Sequence, residues 1–208
     1  RLAEILDKPL KDLNIITCHL GNGASLCAIK GGKSINTSMG FTPLSGVMMG
    51  TRTGDIDAQI MPYLESKLSL SSKEITDIYN KKSGMLGVSG LSSDARDIDE
   101  AFKKGDERAI LTRKMYANRI ASFIGSYFVQ LGRLDAIIFT AGLGENDCDV
   151  RAEIMDLLKE SLGVSYDATV NLARGKEVKL STPESKVQAW VIPTNEELVI
   201  ARDTFGLM

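Results

Sequence analysis

Histidine and cysteine are scarce in this sequence, which limits the metal sites that it can form. The 208 residues include one histidine and three cysteines. They contain no C-x-x-C pair, whereas a tetrahedral zinc site needs four well-spaced ligands. An odd and scattered set of cysteines favours reduced thiols over a disulfide framework. Any bound metal is therefore expected to be a hard cation held by oxygen ligands.

A charge excess of either sign and long apolar runs are also absent. The 27 acidic and 25 basic residues give a net charge of −2, which provides no cationic field for nucleic acid or anionic lipid. Every apolar run is far shorter than the roughly 20 residues of a membrane-spanning helix, and no secretory signal pattern opens the chain. These absences predict a cytoplasmic protein without nucleic-acid or membrane partners.

The first quarter of the chain has the pattern of antiparallel hairpins followed by a loop. Residues 13–20, 24–30 and 34–38 are rich in strand-forming types, and Asn-Gly and Gly-Gly pairs separate them. Residues 39–56 contain four glycines and a proline, which are too many helix- and strand-breaking residues for regular structure. This stretch predicts a long loop of the kind that is often functional.

The rest of the chain predicts alternating helices and strands. Helices are predicted over 72–81, 94–104, 106–131 and 149–161 and after 193–197, and strands over 134–140 and 187–192. Glycine-rich stretches without regular structure are predicted at 83–94 and 141–146. The predicted fold class is α/β, with a mixed sheet in one domain that covers residues 1–208.

Five segments rich in glycine, serine or threonine are candidates for a phosphate site, because amides free of side-chain bulk approach phosphate oxygens closely. They cover 19–25, 50–57, 84–97, 140–146 and 193–197. Each alone is more often a simple turn. The P-loop pattern fails at Cys27 and the dinucleotide-binding pattern fails at Asp147, where each requires glycine. The sequence therefore supports neither a P-loop NTPase nor a Rossmann dehydrogenase.

Six motifs in order are more specific than any one of them. They are HLGNGAS at 19–25, TSMGFTPL at 37–44, MGTRTGDID at 49–57, GLSSDARD at 90–97, FTAGLGEN at 139–146 and IPTNEEL at 192–198. This series resembles the C-terminal half of the acetate kinase (acetokinase) family over nearly the whole chain. The resemblance implies a ribonuclease-H-like mixed sheet flanked by helices, the C-terminal domain of the sugar kinase, actin and heat-shock ATPase superfamily.

The resemblance also implies a role for each motif. The residues expected to bind ATP or ADP are His19, Leu20, Gly21, Asn22 and Gly23 at the phosphates, Asp94, Ala95 and Arg96 beside the nucleoside, and Gly142, Leu143, Gly144, Glu145 and Asn146 around adenine and ribose. Arg52 would be catalytic, because a planar and permanently charged fork suits the oxygens of a phosphoryl group in transfer. Glu196 would belong to a Mg²⁺ site.

Each of these assignments has a structural alternative. A lone histidine after an apolar strand is more often a core residue, Arg52 could be a solvated loop arginine, and Asp94 has the pattern of a helix N-cap.

The metal assignment has alternatives of its own. Glu196 could complement a helix dipole, and Glu197 competes with it for the metal role. Asp55 and Asp57 could serve the metal, but turn chemistry explains them equally well.

The activity implied by the resemblance is Mg²⁺-dependent transfer of a phosphoryl group between ATP and acetate, which gives ADP and acetyl phosphate. Family members carry most of the acyl site in an N-terminal domain that has no counterpart here, and the chain begins with Arg1 rather than methionine. We therefore expect a C-terminal portion that is inactive by itself and pairs as a homodimer. Two alternatives stay open: part of a propionate or butyrate kinase, and a non-catalytic nucleotide-binding or dimerisation module.

Overall fold

A computed structural model describes residues 1–207 of the chain. It contains one mixed sheet of β1 (Asn14–Leu20), β2 (Ala24–Lys30), β3 (Lys33–Thr37), β4 (Ala136–Thr140), β5 (Val178–Lys179) and β6 (Gln188–Val191). The strands lie in the order β3-β2-β1-β4-β6-β5. Strands β1 to β3 form antiparallel hairpins, β4 is parallel to both β1 and β6, and β5 is antiparallel to β6. The predicted mixed sheet is confirmed.

The helices surround this sheet. They are α1 (Leu2–Ile5), α2 (Ile60–Leu68), α3 (Ser72–Lys81), α4 (Gly84–Ser89), α5 (Ala95–Lys103), α6 (Glu107–Leu131), α7 (Ala141–Asn146), α8 (Cys148–Leu162) and α9 (Glu196–Gly206). Within residues 1–207, none of them is long and apolar enough to cross a membrane.

Local signals place several helix ends where the sequence predicts them. Ser71 and Glu74 form a complete capping box at the start of α3, which satisfies two otherwise unpaired donors. Helix α6 ends at Gly132, which adopts a left-handed conformation with φ of 78°, as a glycine C-cap does.

Three parts of the fold differ from the sequence prediction. Residues 141–146 form helix α7 rather than a turn, and the stretch 83–94 contains helix α4. Glycine lowers helix propensity, so the two glycines of each short helix conceal it in the sequence. Helices α1 and α2 and strand β5 are elements that the sequence analysis did not predict.

The main hydrophobic core lies between one face of the sheet and helices α6 and α8. Ile16, Cys18 and Leu20 of β1 pack there with residues such as Ile124 of α6 and Ile154 of α8. A smaller cluster on the other face includes Ile15, Trp190 and Leu2 of α1. Because side chains alternate along a strand, β1 contributes to both clusters and is fixed at the centre of the sheet.

Candidate functional site

A cleft of about 910 Å³ opens near the carboxyl ends of β1 and β4. Open α/β sheets bind their ligands at this end of parallel strands. Eight residues predicted to bind nucleotide line the cleft: Gly21, Asn22, Asp94, Ala95, Arg96, Gly142, Leu143 and Asn146. The fold therefore brings together three motifs that are far apart in the sequence.

The turn between β1 and β2 supplies the first wall of this cleft. The amide of Gly21 donates to the carbonyl of Gly23 at 3.1 Å, and the amide of Gly50 donates to the carbonyl of Asn22 at the same distance. A Cβ atom at position 50 would collide with Asn22 Oδ1 and lie 3.1 Å from the Ser93 carbonyl. Glycine at position 50 therefore permits the loop and the turn to approach closely.

Arg52 lies beside the same turn, although it does not line the cleft itself. Its Nη1 donates to the Pro43 carbonyl at 3.0 Å and would lie 3.5 Å from a Cβ atom at Gly23. No carboxylate of residues 1–207 is within 4.0 Å of its guanidinium. This half-buried positive charge is therefore available to an anion at the glycine turn.

The first turn of α4 holds the loop that carries Arg52. The amides of Ser83, Met85 and Leu86 donate to the carbonyls of Thr51, Met49 and Gly50 at 2.8–2.9 Å. These contacts satisfy amides that have no partner inside the helix. Three consecutive loop residues are thereby fixed directly before the arginine.

The start of α5 combines a helix cap with an exposed ion pair. Asp94 Oδ1 accepts from the amide of Arg96 at 2.9 Å, which confirms the N-cap interpretation. Its Oδ2 lies 2.6 Å from Arg96 Nη2. The side-chain and backbone hydrogen bonds from Arg96 lower the pKa of Asp94 to about 2. Asp94 and Arg96 therefore face the cleft as one paired unit.

We expect the Asp94 carboxyl to titrate at about pH 2 and to move towards about 3.9, the usual value for aspartate, in Arg96→Gln. The depressed pKa means that the paired, ionised form stabilises the fold above the unfolded-state pKa and that this contribution is lost as the pH falls through about 2. Carboxyl-carbon NMR titration of both proteins measures the midpoint. A midpoint that is unchanged in Arg96→Gln would show that the ion pair does not cause the shift.

Five predicted nucleotide contacts are placed outside the lining of the cleft. Leu20 is fully buried in the core. Gly144 is also buried, and a Cβ atom there would lie 3.3 Å from the backbone of Phe139. Glu145 Oε1 accepts from the amides of Ala141 at 2.8 Å and Thr194 at 3.2 Å, which holds its side chain at α7.

His19 and Gly23 are the other two of these residues. His19 is exposed at the carboxyl end of β1, so the alternative interpretation as a core histidine is wrong. Gly23 belongs to the turn that follows β1 and does not line the cleft, and a Cβ atom there would lie 3.5 Å from Arg52 Nη1.

The predicted magnesium residue lies at the start of α9, beside Glu197. Glu196 is exposed in the first turn of α9. Within residues 1–207, no three His, Cys, Asp or Glu side chains form a group suited to a metal. A single carboxylate fits Mg²⁺ only where phosphate oxygens and water complete the coordination. Glu196 is absent from the lining of the cleft and, in the described part of the chain, belongs to no ready-made metal cage.

The other two carboxylates considered for the metal accept hydrogen bonds from backbone amides. Asp55 Oδ1 accepts from the amide of Gly46, and Asp57 Oδ1 accepts from the amide of Gln59, each at 2.8 Å. The Asp57 bond reaches two residues along the chain, as in an Asx-turn, and confirms the turn interpretation of Asp57. The Asp55 bond instead joins two parts of the loop that are nine residues apart.

The cleft also contains residues that the sequence analysis did not single out. Arg174 and Lys103 line it together with Asp147 and Asp149. Arg174 lies in a segment without regular structure or a recognisable motif, so only the tertiary structure places it here.

The fold and the position of the cleft define the fold class of this chain as an α/β domain of the ribonuclease-H-like type. The model of the acetokinase family matches residues 1–202. The chain therefore belongs to the acetokinase family.

Known proteins of high similarity agree with this assignment. The acetate kinase of Anoxybacillus flavithermus is 55% identical over 207 residues, which cover 100% of this chain and 52% of that protein. The crystal structure of Porphyromonas gingivalis acetate kinase matches 99% of this chain and 52% of its own, with 46% identity and a TM-score of 0.95. A propionate kinase from Francisella tularensis matches 96% of this chain and 50% of its own, with 42% identity and a TM-score of 0.89. These matches confirm the predicted fold class.

The chain spans about half the length of the curated relatives that it matches.

Proposed function

We propose that residues 1–208 form the nucleotide-binding domain of an acetate kinase, which transfers a phosphoryl group between ATP and acetate and gives ADP and acetyl phosphate. This proposal rests on one observation. The chain belongs to the acetokinase family, and three of its separate motifs meet in a single cleft that is large enough for a nucleotide. In this proposal the phosphates lie at Gly21 and Asn22, and the nucleoside lies between Asp94–Arg96 and Gly142–Asn146.

Arg52 is the proposed catalytic residue of this chain. Phosphoryl transfer gains most from positioning and from charge stabilisation of the equatorial oxygens. The guanidinium beside the glycine turn has no carboxylate partner among residues 1–207. The three backbone hydrogen bonds from the start of α4 to residues 49–51, called the clamp below, fix the loop that carries Arg52 before a ligand binds. Arg52 therefore meets the transferring group without first breaking an ion pair.

Mg²⁺ is the proposed metal and Glu196 its proposed ligand from this chain. When bound, the ion neutralises charge on the phosphates of the nucleotide. The exposed carboxylate of Glu196 supplies one hard oxygen, and nucleotide and water supply the others.

The acyl substrate and the oligomeric state complete the proposal. We expect acetate or acetyl phosphate to bind mostly in the half of the relatives that this chain does not cover, and we expect a cytoplasmic homodimer that pairs through this domain. A cleft that the other half of the relatives would complete cannot by itself exclude water from the reaction, so we expect the 208-residue chain by itself to be inactive or nearly so.

A short-chain acyl kinase for propionate or butyrate is the second candidate. The match to a propionate kinase over 96% of this chain supports it. Comparing kcat/KM for acetate and propionate in the complete enzyme separates the two candidates. A preference for propionate would replace acetate as the proposed substrate.

We expect the isolated chain to bind ATP and ADP with a stoichiometry of one, and Gly50→Ala to weaken this binding at least about tenfold. The added methyl group displaces Asn22 from the phosphate end of the cleft. Gly125→Ala is the matched control, because a Cβ atom there has no neighbour within 4 Å. Isothermal titration calorimetry measures both variants, and a coupled assay measures acetyl phosphate.

Each outcome of these measurements separates the candidates. Nucleotide binding without turnover agrees with the proposal, and a complete enzyme that binds ATP but transfers no phosphoryl group would support the non-catalytic module instead. No binding by the wild-type chain, or equal binding by the Gly50 variant, would contradict the assignment of this cleft. Robust acetyl phosphate formation by the 208-residue chain would contradict its expected inactivity.

A further inference from the structure

The segment 171–175 places a free guanidinium on the wall of the cleft. Arg174 lines the cleft, and no carboxylate of residues 1–207 is within 4.0 Å of its guanidinium. The two other cations of the cleft are engaged, since Arg96 pairs with Asp94 and Lys103 pairs with Asp99, each at 2.6 Å. Arg174 is therefore the cleft cation that is available to a ligand in the described part of the chain.

The backbone of Arg174 is fixed on both sides. The carbonyl of Ala173 accepts from Arg151 Nη2 at 2.8 Å, and the amide of Gly175 donates to the carbonyl of Glu145 at 3.2 Å. An exposed arginine in a segment without regular structure would otherwise lose much conformational entropy when it binds a ligand. Here the side chain alone has to be ordered.

The buried residue behind this arrangement is Arg151, whose side chain is fully buried. Its Nε donates to Asn171 Oδ1 and its Nη1 to the Gly144 carbonyl, each at 3.0 Å, and its Nη2 donates to the Asn171 carbonyl. Burial lowers the pKa of Arg151, and no carboxylate in residues 1–207 pairs with it. Burying a charge that has no carboxylate partner is costly. The hydrogen bonds of Arg151 to these carbonyls connect α7 to the segment that carries Arg174.

The charges near Arg174 favour a base over a phosphate as its ligand. Gly175 adjoins Asn146 at the end of α7, and the carboxylates of Asp147 and Asp149 follow directly and line the cleft. These carboxylates repel a triphosphate at this end. The uncompensated charge of Arg52 and the glycine turn lie instead at the end of β1.

We propose that Arg174 packs its guanidinium against the purine face of the bound nucleotide, and that buried Arg151 is the positioning residue that holds Arg174 there. A planar guanidinium stacks on aromatic faces, whereas the lysine ammonium is a compact point charge. This inference rests on the proposed nucleotide-binding function of the cleft. It adds one contact residue and one supporting residue to it.

The test is calorimetric titration of the wild-type chain, Arg174→Ala and Arg174→Lys with ATP, ADP and AMP. A stacking contact is worth about 0.5–2 kcal/mol, so Arg174→Ala should raise Kd by about 2- to 30-fold. The factor should be the same for all three nucleotides, because they share the base. Arg174→Lys should not restore the affinity.

Two results would overturn the assignment of Arg174 while the proposed function stands: unchanged Kd values in Arg174→Ala, or a factor that grows from AMP to ATP. Full recovery in Arg174→Lys would also overturn it, because recovery indicates attraction to charge alone. If the wild-type chain binds none of the nucleotides, the proposed function fails and this inference fails with it.

Arg151→Lys tests the positioning role, because it keeps the charge but loses the fork that reaches three backbone carbonyls and the side chain of Asn171. We expect its Kd values to rise as in Arg174→Ala, and we expect the double variant to bind no more weakly than Arg151→Lys alone. Effects that multiply in the double variant would mean that Arg151 does not act through Arg174. If Arg151→Lys does not fold, as judged by circular dichroism, the Arg174 variants still decide the proposal.

Discussion

Replacing Arg52 with alanine is expected to lower kcat for acetyl phosphate formation by about 10³- to 10⁵-fold in the complete enzyme. This is the range that an arginine on the transferring phosphoryl group contributes in phosphoryl-transfer enzymes. The fold should be little affected, because the side chain donates to one protein oxygen, the Pro43 carbonyl. We expect the unfolding free energy to change by no more than about 1 kcal/mol.

Three variants make the test of Arg52 specific. Arg52→Lys keeps the charge but loses the planar fork, so partial recovery of kcat is expected. Arg133→Ala is the control: this exposed arginine bonds to Asp12 and Asp135 and does not line the cleft, so kcat should remain at the wild-type value. A loss below about tenfold in Arg52→Ala would exclude Arg52 from the catalytic role.

Replacing Gly84 with alanine is expected to lower the unfolding free energy by about 3 to 6 kcal/mol. Gly84 has φ of 61°, and a Cβ atom there would collide with the Met49 carbonyl and lie 2.6 Å from the Arg52 carbonyl. The left-handed conformation costs about 1–2 kcal/mol for alanine. The three hydrogen bonds of the clamp are each worth about 0.5–1.5 kcal/mol and are disturbed as well.

Gly105→Ala separates the two contributions to the Gly84 effect. Gly105 has φ of 82°, but nothing lies within 4 Å of the Cβ position, so only the strain of about 1–2 kcal/mol should remain. Chemical denaturation of the two variants and the wild-type chain measures the difference. Equal losses in both variants would mean that the clamp between α4 and the Arg52 loop contributes nothing.

Interactions within a few residues made parts of the fold predictable from the sequence. The capping box of Ser71 and Glu74, the C-cap at Gly132 and the N-cap at Asp94 all form as predicted. Each depends on hydrogen bonds between neighbours in the chain or on the φ angle of one residue. The hairpins of β1 to β3 follow the same rule, because Gly-containing turns set them.

Contacts between distant segments decided what the sequence did not reveal. Residues 141–146 are helical although two of the six are glycine, and Glu145 caps this helix through the amide of Ala141 while also accepting from Thr194. Gly144 is a packing residue against the strand backbone rather than part of the cleft surface. Local propensity does not determine such positions, since packing against the sheet overrides it.

The motifs in the sequence by themselves determined the fold class, the family and about half of the cleft lining, because those residues recur in fixed local patterns. The tertiary structure alone decided that Arg52 is held by α4, and that Arg174 lines the cleft next to the carbonyl that Arg151 bonds. The physical reason is that these two guanidiniums gain their positions from backbone carbonyls and amides, which every residue carries and no sequence pattern distinguishes.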